Sequence, residues 1–427
     1  MIRYALLLLL FFSAFLSWGQ NSRRLDSLEL SLNYSAAKDA KRLSTLLELA
    51  KELQNNNPNA ALDYAREAQQ ISQQLNHRKS ELDAMILMAE IYWSMSHFNE
   101  AVDLATQAKI WAEKENFLPE LALCHRLMGQ IDVDLGNYKK ASENFFTSLK
   151  IFETINDKSG IAKSLNSIGY VYFDQENYEK ALEYYFQSLN IAKEVNDKQG
   201  IARGLNNIAA VYGSQEEYEK AKRYIKEAII INDELGNRQW VGINTMNLGL
   251  TFQKLHQPDS AIRYFQNAHH IFSELNNVMW QTKCSLNMGS FYLDIGAFEK
   301  SLHQAKMVLE QAQTHEMKKV VQDAYELFRD TYLSLGDTIS AYKYTLLVIQ
   351  ARDSLESEKN KTLLSKLELQ YQFDKKEQEL KIQQQKHNFI LIIFMISLGI
   401  ALVVFLLLWA RQRIKSKNVV LEKKALE

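Results

Sequence analysis

The chain has 427 residues, with 50 Lys and Arg against 51 Asp and Glu and a formal charge of −1. With 47% apolar residues it can bury a large core. The balanced charge gives no bias toward nucleic acid, and nothing suggests a DNA-reading face.

At the N-terminus, Arg3 precedes an apolar run from Ala5 to Leu16, then Ser17-Trp18-Gly19 and Gln20. This layout reads as a secretory signal peptide over residues 1–19. The run is shorter than the ~20 residues a span needs, and an uncleaved anchor is the minor alternative. No cysteine follows the cleavage pattern, so a lipoprotein anchor is not indicated. Residues 20–39 form a lead-in.

From residue 40 to 355 a register repeats every forty residues, giving about eight units. Ala101, Ala141, Ala181, Ala221, Ala261, Ser301 and Ala341 share one slot. Four and then seven residues later stand pairs such as Phe145 and Ser148, Tyr185 and Ser188, Phe265 and Ala268, a spacing that keeps one helix face toward a neighbour. Twelve residues before the small slot come Ala89, Gly129, Gly169, Ala209, Gly249 and Gly289, small enough for close helix approach, with Arg329 out of pattern. Three positions further on, Tyr92, Tyr172, Tyr212, Phe252, Tyr292 and Tyr332 supply rings expected in the core, with Asp132 the exception. Turn residues such as Gly136-Asn137, Gly296-Ala297 and Gly336-Asp337 divide each unit into helix, turn, helix. Pro58, Pro119 and Pro258 each fall where a helix would begin. Self-similarity at this period predicts stacked helical hairpins. Cys124 and Cys284 occupy one slot four units apart, which argues against an intramolecular disulfide and reads as two small buried hydrophobes.

Residues 356–388 are charged, glutamine-rich and free of Pro and Gly, predicting a juxtamembrane helix. Leu364, Leu367 and Tyr371 begin a coiled-coil seam that Asp374, Gln378 and Lys381 interrupt. Dimerisation through this helix and a solvated spacer both remain open. Residues 389–410 carry no charge and are long enough for a transmembrane helix. After them, Arg411, Arg413, Lys415 and Lys417 place the tail, residues 411–427, in the cytoplasm by the positive-inside tendency. The signal peptide gives the same orientation, with the repeats outside and the short tail inside.

The forty-residue pattern resembles the tetratricopeptide repeat family, most clearly over residues 161–197 with Gly169, Tyr172, Tyr178, Ala181, Tyr185 and Ser188. The resemblance implies an all-α fold, a right-handed α-solenoid of helical hairpins, followed here by a juxtamembrane helix and one transmembrane helix. Units of forty residues exceed the usual thirty-four or so, which implies longer second helices, as in extended variants. The first unit, around Leu43 to Leu75, is expected to act as a cap. A signal peptide, such repeats, Lys375-Lys376-Glu377-Gln378-Glu379-Leu380 and one span together are similar to the sensory half of bacterial membrane histidine kinases and helix-turn-helix regulators. Only seventeen residues follow the span and the last histidine is His387, so the resemblance implies a sensor without kinase activity.

A search for chemistry finds no phosphate-cradling loop, no Gly-x-Ser-x-Gly elbow and no metal-ligand cluster around His269-His270. The expectation is no enzyme, no catalytic or metal residue and no cofactor. In tetratricopeptide repeats the slots of Asn207, Asn247 and Asn287, and of Lys163, Arg203 and Lys283, face the concave groove. The row is similar to that family's carboxylate clamp, interrupted by Ile243 and Ser167. It implies a protein or peptide ligand in the periplasm, and a hydrated inner face or bonding to the neighbouring helix is the structural alternative. The expected function is a membrane-anchored sensor or receptor with a cytoplasmic signalling partner. A scaffold for an envelope complex and a truncated kinase or regulator are the alternatives.

Overall fold

The computed structural model describes residues 25, 27–32, 39–54, 57–95 and 97–426. The signal peptide reading and most of the lead-in fall outside the described residues, as do the side chains of 357–381, 384, 388 and 414–426. The chain divides into two compact units, Met1–Thr362 and Leu363–Glu427.

Among the described residues the structure is all-α. In the first unit α1 (Ala40–Leu53) pairs with α2 (Pro58–Gln74), α3 (Arg78–Ser94) with α4 (Phe98–Glu115), and α5 (Leu118–Asp134) with α6 (Tyr138–Thr154). The series continues through α7 (Lys158–Asp174) and α8 (Tyr178–Glu194), α9 (Lys198–Ser214) and α10 (Tyr218–Glu234), and α11 (Arg238–Lys254) and α12 (Pro258–Glu274). Then α13 (Val278–Asp294) pairs with α14 (Phe298–Thr314) and α15 (Lys318–Leu335) with α16 (Thr338–Leu426), whose later part belongs to the second unit.

The helices stop where the backbone turns left-handed. From Asn76 to Gly336 a residue with positive φ recurs every twenty positions at each described turn. Behind it an N–H reaches back five residues along the chain, as from Asn137 to Asp132 O at 2.7 Å and from Asn177 to Tyr172 O at 2.8 Å, capping the ending helix. The next helix often opens on an Asp or Asn whose carboxylate or amide oxygen accepts an N–H, as Asp157 does from Gly160 and Asp197 from Gly200, both at 3.0 Å. The turn interval corrects the expectation that second helices alone lengthen. First helices such as α7 and second helices such as α8 both have 17 residues, which keeps the hairpin ends flush.

The small slot holds helices together as its spacing predicts. Ala141, Ala181, Ala261 and Ser301 are fully buried, and Phe145, Tyr185 and Phe265 are buried beside them. A Cβ on Gly169 would lie 2.7 Å from the Tyr185 ring, and one on Gly249 would lie 2.8 Å from Phe265. In the fifth repeat Ala209 replaces the glycine and Ile225 the ring, both buried, whereas the seventh keeps Gly289 beside Ala305 and fills the space with Leu327.

The second aromatic slot differs from expectation. Tyr172, Tyr212, Tyr292 and Tyr332 are only half-buried. Most of these slots stack on a ring from the partner helix: Tyr172 on Tyr184 at 5.4 Å, Tyr212 on Tyr224 at 5.6 Å, Phe252 on Tyr264 at 5.1 Å. Lys180 and Lys220 lie over the Tyr172 and Tyr212 rings, so these pairs roof each hairpin and need not be fully enclosed. In the third repeat Asp132 and Asn144 occupy the two ring slots. The Asn144 amide donates to Asp132 Oδ2 at 2.9 Å, and its oxygen lies 2.9 Å from His125 Nδ1, so hydrogen bonds replace the stack.

At the N-terminal end, Arg42 donates to Glu67 at 2.6 Å and to the carbonyl of Leu32 at 3.1 Å, tying the lead-in to the first hairpin. Cys124 and Cys284 are free and fully buried, and burial pushes both thiols up to about 12.

Candidate functional site

A cavity of about 860 Å³ opens on one side of the repeat stack. Its wall includes Lys51, Asp83, Glu90, Arg126, Lys163 and Trp240, from α1, α3, α5, α7 and α11. Every lining residue comes from a first helix or its cap, so first helices form the concave wall and second helices lie behind them. The stack coils enough that the first and sixth repeats border one space.

Beyond the mixed pair Lys51 and Glu52 on α1, the charges on this side fall into an acidic and a basic group. Asp83 and Glu90 stand on α3, whereas Arg126, Lys163 and Arg203 stand on α5, α7 and α9. Burial raises the Asp83 carboxyl above its usual range and Glu120 reinforces this, against Lys51, Lys79 and His77. Arg126 is held by Glu90 at 2.9 Å and Gln130 at 3.1 Å, forming a fixed brace between α3 and α5. Solvent reaches Arg203, yet protein crowds it: burial lowers its pKa and repulsion from Arg126 adds to this, while Asp197 opposes both. An incoming anion would relieve that repulsion. Trp240 on α11 is 48% exposed and offers an apolar platform at the far rim. The arrangement can hold an extended chain, with a carboxylate on the cations and an apolar side chain on the indole.

The predicted row does not converge on this cavity as a whole. Lys163 lines it, and Arg203 lies one helical turn beyond the lining residue Gln199. Asn207 donates its amide to Asn166 Oδ1 at 2.8 Å, the bond between neighbouring first helices that was the structural alternative. Asn247 and Asn287 are half-buried, and Lys283 lies over the Trp280 ring at 4.7 Å. Ile243, which breaks the cationic row, is buried. Sequence reasoning missed Trp240, Asp83 and the Glu90–Arg126 brace. The available signal was a pair of tryptophans, Trp240 and Trp280, in one slot near the start of a first helix.

A shallower depression of about 470 Å³ on the other side is lined by Ile229, Ile230, Leu248, Tyr264 and Ile271. Among the described residues no three His, Cys, Asp or Glu side chains gather as a metal site.

In the second unit Gln385–Arg413 is long and apolar enough to cross a membrane, with a mean hydropathy of 3.2 over its best window. Its Ser397 hydroxyl donates to the Phe394 carbonyl at 2.7 Å, satisfying itself within the helix. Arg413 lies over the Trp409 ring at 5.0 Å, and Arg411 is exposed. The side chains of Lys415, Lys417 and the Leu364–Leu367–Tyr371 seam lie outside the described residues.

Stacked antiparallel hairpins with a concave wall of first helices define a helical-repeat solenoid. Residues 160–233 match the tetratricopeptide repeat family, and the chain carries tetratricopeptide repeats. No curated protein matches the sequence. Among solved structures, the fold is similar to a signal transduction ATPase with a tetratricopeptide repeat sensor from Pyrococcus horikoshii, with a TM-score of 0.58 and 18% identity. That match covers 80% of this chain and 54% of the other, so this chain spans about half of that ATPase. A Rap protein complexed with competence and sporulation factor matches with a TM-score of 0.50 and 14% identity over 75% of this chain and 99% of that one. The Rap conjugation gene regulator of plasmid pLS20, in complex with the Phr* peptide, matches with a TM-score of 0.50 and 11% identity over 79% and 96%.

Proposed function

We propose that this chain is a membrane-anchored receptor that captures a peptide or an extended protein segment in the groove of its first helices. The observation that carries this reading is the cavity itself, where Lys163 stands on one wall, with Arg203 just beyond the lining residue Gln199, and the open Trp240 ring stands on another. Two of the solved structures with this fold are complexes, one with competence and sporulation factor and one with the Phr* peptide, which supports the reading by analogy of fold. The Gln385–Arg413 helix serves as a single transmembrane anchor, with the repeats in the periplasm and the basic tail in the cytoplasm. The groove acts by binding and not by catalysis.

A library of immobilised peptides with free carboxyl ends, probed with the purified repeat protein, tests this. Trp240→Ala should weaken the selected peptides by about 2 kcal/mol, some thirtyfold in Kd. The Lys163→Glu, Arg203→Glu pair should abolish selection of acidic ends. Ile230→Ser on the opposite side should change nothing. Equal binding by all three variants would place the site elsewhere.

A further inference from the structure

Successive second helices meet through a ring contact that one joint lacks. Phe146 on α6 packs edge-on against Tyr184 on α8 at 6.3 Å, and Phe186 on α8 does the same against Tyr224 on α10 at 6.2 Å. Forty residues further on, Lys226 on α10 stands where the next ring is due, opposite Tyr264 on α12. Tyr264 still stacks on Phe252 at 5.1 Å, so it keeps one ring partner and lacks the second. Beneath it Thr245 holds the slot of Leu165 and Leu205 with a smaller side chain. The depression of about 470 Å³ lies at this joint and is lined by both substituted residues.

Two further features distinguish the space from a packing gap. Ile230 is 59% exposed at its lip, in the slot that Lys150 and Asn190 hold in the two preceding repeats. The Lys226 amine lies over the Phe252 ring at 5.9 Å, and among the described residues no carboxylate pairs with it, whereas Lys222 one turn earlier is held by Glu219. The floor leaves no donor unmet, because the Thr245 hydroxyl donates to the Val241 carbonyl at 2.7 Å.

We propose that this depression binds a small aromatic carboxylate. Its phenyl group takes the place that Phe146 and Phe186 fill at the two preceding joints, edge-on to Tyr264 and against Ile229, Leu248 and Ile271. Its carboxylate pairs with the Lys226 amine, with the Asn267 amide as a second donor. The volume suits one free molecule, since small-ligand pockets begin at roughly 300 Å³. A ring that carries its own acid a few bonds away supplies both missing contacts at once. The site lies apart from the groove of first helices and does not depend on what that groove binds.

Calorimetric titration of the full chain in detergent with 3-phenylpropionate, referenced to detergent alone, tests this. Saturable binding with a Kd at or below about 1 mM is expected for so few heavy atoms. The methyl ester should bind at least about tenfold more weakly, because it cannot pair with the amine. Lys226→Phe, which restores the ring of the preceding joints, should abolish binding of the acid and raise the melting temperature. Lys226→Met keeps the space and removes the charge, so acid and ester should bind it alike. Trp240→Ala in the groove should leave the titration unchanged. The proposal is overturned if the unaltered chain shows no saturable binding or takes acid and ester equally. It is overturned as well if binding survives Lys226→Phe or is lost in Trp240→Ala. Should Lys226→Phe lower the melting temperature instead, Lys226→Met decides: a persisting preference for the acid rejects the site, and loss of that preference retains it.

Discussion

Glycine and ring form a matched pair at the centre of three hairpins, Gly129 with Phe145, Gly169 with Tyr185 and Gly249 with Phe265. Gly169 faces Tyr185 and Gly249 faces Phe265 at distances that leave no room for a methyl group, whereas Ala209 coincides with Ile225. Gly169→Ala should therefore destabilise the protein by about 1–3 kcal/mol through overpacking. Adding Tyr185→Ile, which reproduces the fifth repeat, should recover much of that loss, and a denaturant-melt double-mutant cycle measures the coupling. Equal, additive losses would show the slots to be independent. The slots themselves were legible in the sequence because a forty-residue period aligns them. Their coupling was not, because a ring and a small residue twelve or more positions apart in sequence reveal their contact only when the hairpin closes.

Between elements, the α5–α6 hairpin shows how one repeat departs from the rest. His125, Asn144 and Asp132 link the two helices where tyrosines stack elsewhere. Burial lowers the His125 pKa from the usual 6.5, more than the Asn144 hydrogen bond raises it. Below 6.5 the unfolded chain then binds a proton that the native chain refuses, so stability is lost as pH falls toward the lowered native value. His269, also pushed down by burial and by His270, acts in the same direction. His125→Gln should flatten the decline in Tm with falling pH below 6.5, read by circular dichroism at a series of pH values. An unchanged slope would remove His125 as a cause. The sequence marked Asp132 as an exception but did not show its partners, since Asn144 sits in a slot whose ring neighbours had not been recognised.

For the whole molecule, the all-α repeat architecture was readable from period, turn residues and small slots. The curvature was not. Small rotations between repeats accumulate, and only their sum brings Lys51 and Trp240 to one cavity; Lys283 meets Trp280 locally, one turn away on the same helix. Function at this scale divides between a receptor that signals inward and a scaffold that only gathers partners. Deleting residues 411–427 should abolish downstream output and preserve peptide capture if the chain is a receptor. If it is a scaffold, both should survive, and a reporter for envelope stress together with a pull-down reads the difference.

The left-handed residue at every twentieth position gives the chain a natural quantum of length. Excision of forty residues from turn to turn between Lys51 and Trp240 would preserve each type of packing contact, but it would shift by one repeat the pair of walls that meet across the cavity. Lys51 would then face the slot of Trp280, whose ring Lys283 already covers, in place of the open Trp240. Repeat number thus sets which indole the groove presents, and gain or loss of a hairpin would change that wall by moving whole helices and not by point substitution.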